Sequence, residues 1–201
     1  MPSLTAISLF LRALVFLLVA ASTALILIAP GSCFWVTKGS WHGYYCPPQG
    51  IVKKSMPLNV GHWSSNVNYI QKGGHGIWGQ IPIMIISLIF SVPSFMFTCL
   101  KYKTGSALNG PQIIFAFIAF IVYLTLGGVE TWYATGFSHM ASIMKKELVE
   151  QSGSGFDVRY VIWGWVAAAI LLFLCALLEL IDGVLVCFRR GKYHVMYKYY
   201  R

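Results

Sequence analysis

Four long apolar stretches dominate the chain, separated by polar segments that are rich in Gly, Lys and aromatic residues. A bilayer core about 30 Å thick requires roughly 20 apolar residues in a helix, and each stretch is long enough. None of them alternates with the period of two that is typical of membrane β-barrel strands. The pattern therefore predicts four transmembrane helices, at residues 7–30, 77–100, 111–135 and 161–188.

The segments between these spans complete a single membrane domain over residues 1–201: outer loop 1 (31–76), an inner turn (101–110), outer loop 2 (136–160) and a tail (189–201). Outer loop 1 is long enough to have a structure of its own, and its aromatic residues between Gly and Pro favour short strands. We therefore expect an all-α membrane protein, a four-transmembrane-helix bundle with a small extracellular antiparallel β-sheet from loop 1.

Composition and charge narrow the class and the orientation. Hydrophobic residues make up 57% of the chain and charged residues only 10%, which excludes a soluble globular domain and a disordered chain. The net charge is +9, and Lys101, Lys103, Arg189 and Arg190 lie directly at the ends of spans, on the side that both termini share. Because basic residues near span ends mark the cytoplasmic side, we expect cytoplasmic termini and a multi-pass protein of the plasma membrane.

Charged residues inside the spans are the strongest site signal. Glu179 and Asp182 are three positions apart and share a helix face, at a depth that overlaps that of Arg12. An unpaired charge at mid-bilayer costs at least about 2.5–3.5 kcal/mol, so we predict an intramembrane ion pair between Arg12 and one or both acids. An ion or proton site and snorkelling to the interface are the alternatives. Glu130, near the outer end of the third span, is expected to cap or anchor outer loop 1.

Cys33 and Cys46 both lie in outer loop 1. On the oxidising side of a membrane they are predicted to form a disulfide, which would stabilise the loop by roughly 3 kcal/mol; two unpaired thiols are the alternative. Cys99, Cys175 and Cys187 are expected to pack as apolar residues. Palmitoylation of Cys99 or Cys187 stays open.

Two surfaces are candidates for contact with partners. The basic tail is expected to lie on the anionic inner leaflet through Arg189, Arg190, Lys192 and Lys198. Outer loop 1 carries four Lys and no acid, and it is the expected recognition surface through Trp35, Trp41, Tyr44, Tyr45, Lys53, Lys54 and Trp63.

The sequence carries no motif for catalysis, a metal or a cofactor. Its five His are scattered, and there is no Cys-x-x-Cys pair. Nucleic-acid binding is not supported, because the positive charge is divided between the two sides of a bilayer. We therefore expect a protein that is not an enzyme and whose partners are membrane lipids and other integral membrane proteins.

Several segments are similar to one known superfamily. They are Met84–Cys99 with the turn 103–105, Tyr160–Ala168, Trp35, and Gly39-Ser40-Trp41 followed by Cys46. Together with the topology they resemble the claudin / peripheral myelin protein / epithelial membrane protein superfamily, which includes channel-regulating γ subunits. The chain departs from its loop signature because four residues separate Trp41 from Cys46, Ser40 replaces Leu, and no second Cys follows. A MARVEL-like four-helix group is the other family considered.

The resemblance implies two functions, and the acids inside the fourth span suggest a third. The first is a non-catalytic claudin-like tetraspan that acts in cell junction, adhesion or membrane organisation through outer loop 1. The alternative is an auxiliary γ-like subunit that binds and modulates an ion channel or receptor. The third is an ion- or proton-handling transporter that uses Glu179 and Asp182.

Overall fold

The computed structural model describes residues 4–30, 32–45, 79–104, 109–136 and 153–199, with single helical residues and short helical pieces between 142 and 150. Its elements in chain order are four long helices and three strands. They are α1 (Leu4–Ile28), β1 (Ser32–Lys38), β2 (Trp41–Tyr45), α2 (Gln80–Thr104), α3 (Asn109–Gly136), β3 (Phe156–Ile162) and α4 (Trp163–Tyr199).

Three of the described helices are long and apolar enough to cross a membrane: Ala6–Ile28, Gly110–Thr135 and Trp163–Phe188. The expectation of a membrane-embedded, mainly helical protein is therefore confirmed. The apolar part of α2 is shorter, from Gln80 to Met96. The fourth span therefore stays a prediction, as does the side of the membrane on which each terminus lies.

The last helix is longer than the predicted span. Residues 189–199, which the sequence analysis assigned to a tail, continue α4 without a break to Tyr199. This stretch contains no Pro and only one Gly, so nothing in it ends a helix. The basic residues Arg189, Arg190, Lys192 and Lys198 therefore lie on the last turns of α4, and their contact with lipid stays a prediction.

The strands form one antiparallel sheet in the order β2-β1-β3. β1 and β2 are a hairpin whose ladder begins at the pair Lys38 and Trp41, so that Gly39 and Ser40 are the two loop residues. Gly39 has a φ of 60°, which a two-residue hairpin turn requires and which Gly adopts without strain. The predicted small sheet is therefore confirmed.

The third strand was not expected. β3 pairs with the whole of β1, from Ser32 with Ile162 to Lys38 with Phe156, although it belongs to the segment predicted as outer loop 2 and the start of the fourth span. The prediction that the sheet comes from loop 1 alone is wrong in this respect. The alternation that is typical of a strand is visible in β3, because Val158 and Ile162 are buried whereas Asp157 and Arg159 are exposed.

The chain divides into two compact units, and each long helix contributes residues to both. We call them the arginine unit (Met1–Ala21, Ile85–Gly127 and Ile170–Arg201) and the sheet unit (Ser22–Met84 and Gly128–Ala169). Each unit has its own set of buried side chains, and each is described separately below.

Candidate functional sites: a buried polar network and an exposed sheet face

Arg12 and Asp182 form an ion pair inside the arginine unit. Nε and Nη2 of Arg12 donate to Oδ2 of Asp182 at 2.8 and 2.7 Å. Both side chains are 1% exposed. The remaining nitrogen, Nη1, donates to the backbone carbonyl of Ser94 at 2.8 Å, so the guanidinium connects α1 with α4 and with α2.

Uncharged polar side chains complete the bonding of Asp182. Ser8, one turn before Arg12 on α1, donates to Oδ1 of Asp182. Gln112 of α3 donates through Nε2 to Oδ2 of Asp182 at 3.3 Å and to Oγ of Ser8 at 3.1 Å. All four helices therefore meet in one hydrogen-bonded network. A buried ion pair stabilises a fold only when such bonds satisfy its remaining donors and acceptors, and here they do.

Glu179 is placed differently from Asp182, although both lie on one face of α4. Its Oε1 accepts a hydrogen bond from Oγ of Ser94 at 2.6 Å, whereas its Oε2 has no hydrogen-bond partner within the described part of the chain. The side chain is 1% exposed. The network thus contains one guanidinium and two carboxyl groups, and the guanidinium donates only to Asp182 and to a carbonyl. Among the described residues, the second carboxyl therefore has no direct ion pair of its own.

The sheet unit is held together by aromatic rings and backbone groups. Tyr133 of α3 meets Trp165 of α4 edge to face, with 6.3 Å between the ring centroids. Nε1 of Trp165 donates to the backbone carbonyl of Ile26 at 3.1 Å. This carbonyl lies in the last turn of α1 and has no helical donor, because the residue four positions later is Pro30. Trp165 therefore caps the end of α1.

Two glycines allow the backbone to pack closely in the same unit. The amide N–H of Gly164 donates to the carbonyl of Pro30 at 2.8 Å, and a side chain at position 164 would overlap the Pro30 ring. Gly79 lies against the Tyr133 ring in the same way. These contacts join the start of α4 and the start of α2 to their neighbours without any charged group.

Glu130 is the buried acid of the sheet unit. It is fully buried, and so is Gln80 in the first turn of α2, whose side-chain amide lies close enough to interact with the carboxyl. Neither oxygen of Glu130 and neither amide atom of Gln80 makes a hydrogen bond of normal geometry in the described residues. The expectation that Glu130 caps or anchors outer loop 1 therefore finds no bond to support it there.

The sheet has an exposed face that bears a shallow pocket. Its volume is about 160 Å³, and it is lined by Trp35 and Thr37 of β1 and by Asp157 and Arg159 of β3. Nε of Arg159 lies 3.6 Å from Oδ2 of Asp157, and both side chains are mostly exposed. We call these four residues the pocket face.

The predicted recognition surface is described only in part. Trp35 and Trp41 are exposed, and the Trp41 ring packs over Gly43. Tyr44 and Tyr45 lie on β2, where both pair with β1. Lys53, Lys54 and Trp63 lie outside the described residues. Sequence reasoning missed Asp157 and Arg159; the alternation of apolar and polar residues from Phe156 to Ile162 was the available signal.

The cysteines divide into two groups. Cys33 lies in β1, but its predicted partner Cys46 lies outside the described residues, so the disulfide stays a prediction. Cys99, Cys175 and Cys187 are free thiols. Cys175 is buried, and its Sγ lies 3.8 Å from the carbonyl oxygen of Val15, whereas Cys99 and Cys187 are exposed. In the described ranges, no cluster of three or more His, Cys, Asp or Glu side chains is placed to hold a metal ion.

No family model, no curated protein and no solved structure matches this chain. The fold and the sites therefore define it by class: a membrane-embedded helical protein with a buried ion-pair network and a three-stranded sheet.

Proposed function

We propose that this protein is a non-catalytic, claudin-like tetraspan that acts in cell junction, adhesion or membrane organisation by binding other integral membrane proteins. The observation that carries the proposal is that the sheet exposes two tryptophans, one on each of its faces. Trp35 and Trp41 are 41% and 59% exposed on a sheet that is anchored between α1 and α4. Large aromatic side chains that remain exposed on an ordered sheet are typical of surfaces that bind a partner protein.

The interior supports the same proposal. Arg12 and Asp182 form hydrogen bonds with each other and with Ser8, Ser94 and Gln112. A fully bonded pair of this kind fixes the arrangement of helices rather than binding a substrate.

The finer topology belongs to the proposal. α2 is the fourth span, both termini are cytoplasmic, and the sheet lies on the outer side of the plasma membrane. Cys33 and Cys46 form a disulfide next to the sheet. The basic end of α4 lies against the inner leaflet, where each cation contributes about 1 kcal/mol of attraction to anionic lipid.

Photo-crosslinking in intact membranes tests the proposal. A photoreactive residue is placed at Trp41 on the sheet, and the matched control carries it at Phe10, which is 66% exposed on α1. The expected result is a crosslinked integral membrane protein from position 41 that position 10 does not give. A second copy of this chain supports the junction role. A channel or receptor at fixed stoichiometry supports the alternative of an auxiliary subunit. Labelling of lipid alone at both positions would contradict both roles.

Glu179 favours a second candidate function, which is the handling of an ion or proton. The observation is its buried Oε2, which has no hydrogen-bond partner among the residues that the structure describes, while the nearby arginine is bonded to Asp182. A buried carboxyl without a cation is balanced when it binds a proton or a cation. Flux of protons or cations into liposomes that is lost in Glu179→Gln but retained in Glu150→Gln, an exposed site, would support this function. Equal flux with and without the protein would exclude it.

A further inference from the structure

We propose that the pocket face binds a carboxylate-bearing sugar ring, the acidic unit of a glycan carried by a partner. This inference rests on the proposed outward recognition role of the sheet and names the chemistry that the surface recognises. It is carried by the juxtaposition of an aromatic ring, a guanidinium, a carboxylate and a hydroxyl around one small pocket.

The ladder register brings the four residues together. Trp35 lies directly opposite Arg159, and Thr37 lies directly opposite Asp157. Because side chains alternate between the two faces of a strand, these two neighbouring pairs project from the same face of the sheet. The other face carries Phe34, Val36 and Val158, which are buried. The described residues that line the pocket therefore all belong to the sheet.

The size of the pocket restricts the ligand. Sites for drug-sized molecules enclose about 300–1,000 Å³. The volume here is about 160 Å³, so the pocket takes a fragment of roughly one ring. A larger ligand would contact it only through one terminal unit, as a glycan chain does.

The polar groups restrict the ligand further. At 3.6 Å the Arg159–Asp157 contact is an ion pair that is too long for a hydrogen bond, and the Arg159 side chain is 79% exposed. A guanidinium presents five N–H donors in a planar fork, which matches the two oxygens of a carboxylate. The Asp157 carboxylate accepts hydrogen bonds only, so it suits ligand hydroxyl groups.

The exposed side chain of Trp35 indicates that the ligand contains a ring and is not a simple anion. It presents a large, flat, apolar surface that is 41% exposed. Such a surface suits the C–H face of a sugar, which is apolar, while the hydroxyl groups at the edge of the sugar reach polar neighbours. Inorganic phosphate or acetate would use Arg159 and leave the aromatic surface without a role.

The sequence of outer loop 1, which supplies β1, favours an acidic sugar over a neutral one. Residues 31–76 contain four Lys and no Asp or Glu. A segment with a net positive charge attracts anions and raises their rate of association. The ligand that meets all of these features has a carboxylate, several hydroxyl groups and an apolar ring face.

Saturation-transfer NMR on the purified full chain in detergent micelles tests the inference with three probes: glucuronate, glucose and inorganic phosphate as a competitor. We expect a saturable signal for glucuronate that equimolar phosphate does not displace. The signal for glucose should be at least fivefold weaker. Arg159→Ala and Trp35→Ala should each reduce the glucuronate signal at least fivefold. Trp132→Ala is the matched control, because Trp132 is an exposed tryptophan on α3, outside the sheet.

Several results would overturn the inference: no glucuronate signal, equal binding of glucose, complete displacement by phosphate, or a full signal in either pocket variant. Arg159→Lys and Trp35→Phe replace the alanine variants if those fail to elute as folded protein. Soluble glucuronate-terminated oligosaccharides and liposomes with an acidic glycolipid distinguish the two sources of the sugar. The crosslink from position 41 is measured on the same variants. If it persists without sugar binding, only the inference fails; if it is absent while sugar binds, only the proposed partner role fails.

Discussion

The two units of this protein join their helices and strands by different kinds of interaction. In the arginine unit, a guanidinium, a carboxylate and several uncharged polar side chains join four helices through hydrogen bonds. In the sheet unit, aromatic rings, close approaches at Gly and single backbone bonds join the elements. The buried acid Glu130 has no hydrogen bond of normal geometry to any residue that the structure describes. Both units belong to the same helices.

The difference shows what a buried charge requires. Lipid offers no hydrogen bonds, so a charged group stabilises a membrane protein only where the protein supplies every partner. Asp182 accepts bonds from three side chains, whereas Glu130 makes none of normal geometry within the described ranges. The first carboxylate is therefore part of the fold. The second has no such bonds among the described residues, so we expect its burial to cost stability.

The largest expected effect follows from breaking the ion pair. Arg12→Leu leaves the Asp182 carboxylate buried without its cation, and the loss of one partner of a buried pair costs about 3–5 kcal/mol. We expect the yield of folded, monodisperse protein in detergent to fall severely, as measured by fluorescence-detected size-exclusion chromatography. A normal yield would show that the network does not hold the arginine unit together.

A double variant separates loss of charge balance from loss of packing. Arg12→Leu with Asp182→Leu removes both charges, so no uncompensated charge remains, and we expect it to recover much of the lost yield. Replacing a buried pair by apolar residues is often neutral. If the double variant were as poor as the single one, the hydrogen bonds to Ser8 and Gln112 would be the more important part of the network.

The sheet unit should instead be most sensitive to a single methyl group. Gly164→Ala places a Cβ against the Pro30 ring, so the start of α4 must move and the bond from Gly164 to the Pro30 carbonyl weakens. Overpacking of this kind costs about 1–3 kcal/mol, measured as a lower thermal midpoint in detergent. Gly128→Ala on α3 is the control, because its Cβ meets nothing within 4 Å. Equal effects of the two changes would contradict the close approach.

Loss of a single backbone cap should have a smaller effect. Trp165→Phe keeps an aromatic ring beside Tyr133 but leaves the Ile26 carbonyl without its donor. A typical buried hydrogen bond contributes about 0.5–1.5 kcal/mol, and we expect a loss in this range. Trp132→Phe is the control, because Trp132 is exposed on α3. A thermal midpoint that is lowered equally by both changes would show that the indole N–H does not cap α1.

The sequence predicted the positions that follow from periodicity. Depth along a helix is counted at a fixed rise per residue, which is why Arg12 could be matched with the acids of the last span. The choice of Asp182 over Glu179 could not be predicted, because both lie on one face and the outcome depends on where Ser8, Ser94 and Gln112 fall. Uncharged polar side chains barely change the hydropathy of a span and therefore give no signal.

The third strand of the sheet is a second feature that the sequence did not predict. β3 begins in a segment that was predicted to be a loop, and it ends beside an apolar span. Because Val161 and Ile162 are apolar and adjoin that span, they were assigned to the predicted helix. Its partner β1 lies more than a hundred residues earlier in the chain, and no local pattern specifies such a pairing. The pocket face consists of residues from both strands, so it could not be predicted from the sequence.

Replacement of the buried acid by leucine should change the thermal stability in opposite directions at Glu130 and at Asp182, or leave it unchanged at Glu130. Glu130→Leu removes two buried oxygens that have no hydrogen bond in the described residues, and replacing such a group by an apolar one is neutral or stabilising. We expect the thermal midpoint to be unchanged or to rise by the equivalent of up to about 1 kcal/mol, whereas Asp182→Leu, at an equally buried acid, should lower it. A clear loss of stability in Glu130→Leu would mean that Glu130, like Asp182, has partners that hold the fold together, and the contrast between the two units would then disappear.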